Sequence, residues 1–244
     1  MPDCYQPTTE HPRLASGVVH VWRDTIDPAP ADLLALGATL STDEHARSAR
    51  FHFERDRQRY IAARGILRRL LAGYLGQDGR TLTFRYGLRG KPDLEQAAPA
   101  LQFNVSHRGS YALYAFVLDR EVGIDIEFER EVPEALAIAR NHFTPAETRL
   151  LVEADNDRAA RECFFRLWTR KEAVIKAVGT GLSMPLDEFD VSSQLLADNA
   201  WRKIHVPARP DTDWSVRDLP VADEYRAAIC VAGEPVELRF FRPE

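Results

Sequence analysis

Lysine is almost missing from this chain. Of 32 basic side chains only Lys91, Lys171, Lys176 and Lys203 are lysines, and the others are arginine. A lysine that persists against such a bias marks a place where a compact ammonium suits better than a planar fork. Cysteine is equally scarce: Cys4, Cys163 and Cys230 stand far apart and make no Cys-x-x-Cys pair. That spacing argues against a disulfide framework and against a cysteine zinc site. No apolar run approaches the roughly 20 residues needed to cross a bilayer, so no membrane partner is expected. The N-terminus has no basic stretch leading into an apolar one, and a cytoplasmic protein is expected. An excess of positive charge is absent too. The net charge is −5 and the pI about 5.9, which predicts no nucleic-acid partner. Any bound phosphate must therefore meet a local basic cluster. Neither Gly-x-x-x-x-Gly-Lys nor Gly-x-Gly-x-x-Gly occurs, so neither a P-loop nor a dinucleotide fold's pyrophosphate turn is indicated.

What remains is a globular composition, with 45% hydrophobic and 28% charged residues in 244. Val18 to Trp22 alternates as a strand, and Asp27-Pro28-Ala29-Pro30 breaks it. Ser41 with Glu44 forms a capping-box pattern, and a long helix is predicted from about Asp56 to Leu75, closed by Gly76. Leu101, Phe103 and Val105 alternate with polar neighbours, while Tyr111 to Leu118 is apolar throughout, as in a strand buried on both faces. Asp119-Arg120 then predicts a hairpin turn into Glu121 to Phe128. Thr144-Pro145 with Glu147 opens another helix. A second long helix is predicted from about Asp157 to Val178, ended by Gly179 and Gly181. Strands are expected near Phe189–Val191, Trp201–Val206, Tyr225–Cys230 and Val236–Phe240. Each half thus runs from a capped short helix to a long helix, a glycine and then strands. This predicts an α+β fold of two pseudo-symmetric halves, residues 1–119 and 120–244.

Three patterns carry chemistry. In Val122-Gly123-Ile124-Asp125-Ile126-Glu127-Phe128 the alternation of a strand sends the apolar residues to one face. Asp125 and Glu127 share the other face, beside Gly123, and begin a site for a hard cation. A lone Asp-x-Glu is more often the wet face of a sheet. In the second long helix Trp168, Glu172 and Lys176 recur every four residues and stack along one face. An isolated Glu-x-x-x-Lys is usually a surface ion pair. Here an aromatic residue shares the stripe, and two of the few lysines fall in this helix. The third pattern, Asn104-Val105-Ser106-His107, ends a strand, with Arg108 and Gly109 able to offer donors to a phosphate or simply to cap it.

Taken in order, Asn-Val-Ser-His, Val-Gly-Ile-Asp-Ile-Glu, Trp-Thr-Arg-Lys-Glu-Ala-x-x-Lys and Gly-x-Gly-Leu resemble the 4′-phosphopantetheinyl transferase superfamily. The likeness is to its larger, monomeric surfactin-synthetase-activating (Sfp-type) branch. It extends upstream to Arg47-x-x-Arg50-Phe51, Ala63-Arg64 and Gly90-Lys91-Pro92 and covers roughly residues 40 to 190. The resemblance implies coenzyme A in a cleft between the halves, and an apo acyl or peptidyl carrier protein as acceptor. It implies Mg²⁺ held by Asp125, Glu127 and Glu172. Coenzyme A would be met by Arg47, Arg89, Gly90, Lys91, Asn104, Ser106, His107, Asp125 and Lys176. Glu172 would act as base and Lys176 would steady the departing phosphate. Glu44 stands near a place where some relatives carry a phosphate-binding lysine, which shifts weight to Arg47. The arginines of the Arg64–Arg69 helix would suit an acidic carrier. Two other readings use the same residues: another Mg²⁺-dependent phosphoester enzyme, and a coenzyme A- or carrier-binding module without catalysis.

Overall fold

A computed structural model describes residues 4–87, 92–95, 101–193 and 200–244. The expected Arg89, Gly90 and Lys91 lie outside the described residues. The first half contains β1 (Gln6–Thr8), β2 (Val18–Thr25), α1 (Pro30–Gly37), α2 (Thr42–Ser48), α3 (Glu54–Leu75), β3 (Phe84–Tyr86), β4 (Pro92–Leu94), β5 (Leu101–Arg108) and β6 (Tyr111–Leu118). The second contains β7 (Val122–Phe128), α4 (Ala135–His142), α5 (Pro145–Val152), α6 (Asp157–Val178), β8 (Arg202–Ile204), β9 (Trp214–Asp218), β10 (Tyr225–Ala232) and β11 (Glu237–Pro243).

The strands build two main sheets, ordered β1-β11-β2-β6-β5 and β7-β10-β9-β8. Sequence pattern explains the layering. Along β6, Ala112, Tyr114 and Phe116 pack under α3, while Leu113, Ala115 and Val117 pack against the other sheet. The apolar run is buried twice, as its composition predicts. Val122, Ile124 and Ile126 of β7 and Ala227, Ile229 and Val231 of β10 complete that inter-sheet core. On the far side of the second sheet, Ala228 and Cys230 meet Phe165, Ala173 and Ala177 of α6. The order is helices, sheet, sheet, helices, with each buried aliphatic side chain contributing roughly 1.5–3 kcal/mol.

The halves repeat in detail. The same number of residues separates Ser41 from Thr144, Glu44 from Glu147, Arg68 from Lys171 and Gly76 from Gly179. Both long helices stop at a left-handed glycine, Gly76 at φ 63° and Gly179 at φ 79°. The strands β2, β6 and β5 in one half correspond to β7, β10 and β9 in the other. In each half the buried glutamate at the third helical position returns to cap its helix and also grips the long helix. Glu44 accepts from the Ser41 amide and pairs with Arg64 and Arg68. Glu147 accepts from the Thr144 amide and pairs with Lys171 at 2.8 Å, both side chains fully buried.

Several expectations change. β7 forms no hairpin with β6: it pairs with β10, so the chain crosses between sheets at 119–121. Phe189–Val191 is not a strand; a single 3₁₀ turn at Leu186–Glu188 precedes it, and Lys171 and Glu147 bind its backbone groups instead. Pro30, read as a breaker, opens α1 from its first turn. The helix α4 and the strand β9 had no clear signature. The last strand, β11, returns to the first sheet and pairs in parallel with β2. Arg64 and Arg68 are not on an open helix surface: both are buried on Glu44, and Arg68 also donates to the carbonyls of Gly79 and Leu82.

Candidate active site

Ser106, Asp125 and Lys176 meet at the seam where β5 runs beside β7. As the edge of its sheet, β7 needs partners for its outward amides. Side chains on one face of β5 supply them: Asn104 Oδ1 accepts from the Ile124 amide at 3.0 Å, and Ser106 Oγ from the Ile126 amide at 3.3 Å. One pleat further, Arg108 Nε lies 3.0 Å from Glu127 Oε2. Alternate residues of β5 thus bridge to successive positions of β7. Asn104 is buried, and its carbonyl oxygen is committed to this bridge.

The opposite side of Asp125 and Glu127 faces α6. Gly123 lets the helix press close, since even a Cβ there would strike the backbone of Ala173 and Ala177. That contact brings Lys176 Nζ to 2.6 Å from Asp125 Oδ1 and 2.9 Å from Ser106 Oγ. Ser106 in turn donates to Asp125 Oδ1 at 2.9 Å. Glu172, one turn before Lys176, is close enough to feel both carboxylates. Burial and then Asp125 push its carboxyl above the ordinary range, with Lys176 opposing and Glu127 adding to the rise. Burial and Asp125 likewise raise Glu127, against the pull of Arg108, Arg130 and Lys176. Trp168, on the same stripe, stacks on Phe164 with ring centres 5.9 Å apart and anchors the helix rather than lining the site.

His107 sits at the exposed strand end. The protein packed around it, then Lys176, Arg108 and Arg59, hold its imidazole below the usual pKa, so it stays neutral near pH 7. On the first half, Asp43, Arg47, Arg50 and Phe51 line an open hollow of about 490 Å³. Arg47 is exposed there and lies 5.7 Å from the Tyr60 ring centre. A wider hollow of about 720 Å³ lies at the end of the inter-sheet core, but much of its charge is already paired, Arg166 with Asp218 and Arg226 with Glu129 and Glu162. Arg130, 3.7 Å from Glu127, was not singled out from the sequence; only its position three residues after an acid hinted at it.

The donor set suits a hard divalent cation. Asp125 Oδ2 is buried and accepts no hydrogen bond, and such an orphaned carboxylate oxygen is costly unless a cation meets it, as Arg108 meets Glu127 Oε2. Among the described residues no three acidic, histidine or cysteine side chains converge on one point as they stand. Lys176 and Arg108 take up the adjoining positions. Binding a cation therefore requires these side chains to rearrange.

Known proteins resemble this chain over most of its length. Residues 121–230 match the model of the 4′-phosphopantetheinyl transferase superfamily, and residues 24–117 that of the 4′-phosphopantetheinyl transferase N-terminal region. The chain is 40% identical over 222 residues to the 4′-phosphopantetheinyl transferase HetI of Nostoc sp., covering 90% of each chain. It is 32% identical over 195 residues to a 4′-phosphopantetheinyl transferase of Bacillus subtilis, covering 80% of this chain and 83% of that one. It is 31% identical over 235 residues to the L-aminoadipate-semialdehyde dehydrogenase-phosphopantetheinyl transferase of Xenopus laevis, covering 89% of this chain and 76% of the other. This chain, two matched halves with an acidic seam between them, belongs to the 4′-phosphopantetheinyl transferase superfamily.

Proposed function

We propose that the protein transfers the 4′-phosphopantetheine of coenzyme A to a serine of an apo acyl or peptidyl carrier protein, releasing adenosine 3′,5′-bisphosphate. The observation that carries this reading is the convergence of Asp125, Glu172, Lys176 and Ser106 at the seam between the halves, from β7, α6 and β5. The serine oxygen forms a bond to the phosphorus next to the pantetheine arm, and the bond from that phosphorus to the bisphosphate breaks. The serine proton must leave as this happens. Glu172 is its acceptor, directly or through water, because burial and Asp125 keep its carboxyl more basic than a surface glutamate. Lys176 serves the phosphates and offsets charge growing on the departing one. Ser106 and neutral His107 offer donors to the same phosphates. Arg47, beside its open hollow, serves the nucleotide end.

Asp125 and Glu172, with Glu127 as third oxygen donor, would hold Mg²⁺. When bound, Mg²⁺ supplies Lewis-acid neutralisation of the pyrophosphate. Holding donor and acceptor in line contributes much of the remaining rate enhancement. The halves on either side of the 119/120 crossing act as the two walls of this cleft. The acceptor is a carrier protein and the working unit a monomer.

The test is to incubate the purified protein with coenzyme A, Mg²⁺ and a panel of apo carrier proteins, and to read intact masses. A phosphopantetheine-sized gain on the carrier is expected, lost with EDTA and in Glu172→Gln. Coenzyme A binding with no gain on any carrier would replace this reading by a non-catalytic binding module.

A further inference from the structure

The two oxygens of Asp125 differ. Oδ1 is crowded, with Lys176 Nζ at 2.6 Å and the Ser106 hydroxyl at 2.9 Å. Oδ2 is buried and accepts no hydrogen bond. Glu127, one pleat further out, differs: the Arg108 guanidinium stands 3.0 Å from Oε2 itself, as an ion-pair partner without a hydrogen bond. Asp125 is thus neutralised by a side-chain cation on one oxygen, yet keeps the other bare in a place water does not reach. That arrangement neutralises charge without satisfying the acceptor. A divalent cation against Asp125 Oδ2 would satisfy it, and would repel an ammonium only 2.6 Å from the same carboxylate. Lys176 has room to respond. Its side chain is 29% exposed while Asp125 is 5% exposed, so the flexible partner is the lysine.

We propose that Lys176 is a resident counter-cation, which neutralises Asp125 before a divalent cation binds and exchanges Asp125 for an anionic phosphate of coenzyme A once it does. The identity of that anion rests on the transferase reading; the exchange itself does not. The backbone of the site is then preformed, and one lysine does two jobs in sequence. It keeps a buried acid from standing alone, and it is delivered to the substrate by the event that makes it unnecessary to the acid. Lys176 therefore contributes little to coenzyme A binding without metal and much with it. By linkage, removing it should favour the metal in the empty site.

Manganese, whose free form is counted by electron paramagnetic resonance, tests this without turnover. Unaltered protein, Lys176→Met, Lys176→Arg and the remote surface variant Lys203→Met are titrated with Mn²⁺ alone, after thermal melts confirm folding. Lys176→Met should bind Mn²⁺ roughly fivefold tighter or more, the low end of typical site coupling. Lys176→Arg and Lys203→Met should not. Coenzyme A is then titrated with and without Mn²⁺. Lys176→Met should lose about tenfold in affinity with the metal, the worth of a charge-assisted hydrogen bond, and little without it. Equal losses in both conditions, or Mn²⁺ binding no tighter in Lys176→Met, would overturn the exchange. An unaltered protein that modifies no carrier would instead remove the transferase reading and leave the Mn²⁺ result standing.

Discussion

A single methyl group at Gly123 should disable the site without touching any charged residue. A Cβ built there stands 2.1 Å from the Ala173 carbonyl oxygen and 2.3 Å from the Ala177 amide nitrogen, where ordinary contact begins at 3.4 Å. Both obstacles are helix backbone, so no side chain can turn aside. In a close-packed interior the strain must be taken by moving α6 away from β7, by about 1 Å. That helix carries Glu172 and Lys176, and its register against β7 sets the 2.6 Å contact to Asp125. Overpacking of this kind costs about 1–3 kcal/mol, or roughly 2–10 °C in melting temperature for a chain of this size. A misplacement of about 1 Å in catalytic groups costs on the order of 10²-fold in rate. Gly123→Ala should therefore stay folded at 25 °C and lose about 10²-fold in kcat, measured as initial carrier mass gain at saturating coenzyme A. Gly37→Ala is the control, because its Cβ would make an ordinary 3.5 Å contact with Ile61. A Gly123→Ala enzyme with unchanged kcat and melting temperature would refute the argument that this glycine sets the helix position.

Four further outcomes follow from charges at different depths. His20 is fully buried, with Nδ1 against the Tyr74 hydroxyl, and burial followed by Arg239 lowers its pKa from 6.5 to about 4. The unfolded state then binds the proton more readily, so stability is full above pH 6.5 and is lost as pH falls towards 4. The loss reaches on the order of 3 kcal/mol. Urea midpoints measured from pH 7 to pH 4.5 should fall less steeply in His20→Gln than in the unaltered protein. Lys171→Met leaves Glu147 buried without its cation and should cost about 3–5 kcal/mol in urea unfolding. Lys203→Met, at an exposed pair with Glu234, should cost under about 1 kcal/mol. Arg69 is half-exposed but paired with Asp24 at 3.0 Å, so Arg69→Glu should leave the carrier KM within about twofold. A severalfold rise in steady-state assays would restore that helix as a carrier surface.

Local signals in the sequence were strong where a residue acts within its own element. The capping pairs Ser41–Glu44 and Thr144–Glu147 open the short helices α2 and α5, glycines stop both long helices, and α6 runs over Asp157–Val178 as read. The double-sided apolar run of β6 likewise required burial on both faces. What failed depended on partners distant in the chain. Nothing in Glu121–Phe128 tells whether β7 pairs with β6 or with β10, because two-residue alternation suits either neighbour. The choice is made across the seam, where Asn104 and Ser106 occupy amides that a hairpin strand would have taken. Arg64 and Arg68 looked like surface charge because helical spacing does not reveal an acid 20 or 24 residues away. Burial of an arginine is legible only once its glutamate is placed. The acidic pair, Lys176 and Ser106 were legible as a set, through their order along the chain. The guanidinium groups on Glu127 were not, since Arg130 belongs to no periodic pattern.

The repeat also shows how the two sides of the seam differ. The spacing that relates Glu44 to Glu147 places Trp22 opposite Asp125, Asp24 opposite Glu127, Arg69 opposite Glu172 and Gly73 opposite Lys176. In the first half the acid of the strand meets an arginine from the helix and closes into an ion pair. The position of Asp125 carries an indole, whose N–H donates to the Tyr74 hydroxyl in a core with Phe241. Where Lys176 would reach down, Gly73 has no side chain, and the His11 ring of the N-terminal segment fills the space. Each change removes like charge or replaces it with packing, so the first half gains stability where the second keeps acids crowded together. Crowded carboxylates raise one another's pKa and are costly to a fold. Retaining them on one side only, facing Lys176, is the arrangement that the proposed cation and pyrophosphate would need.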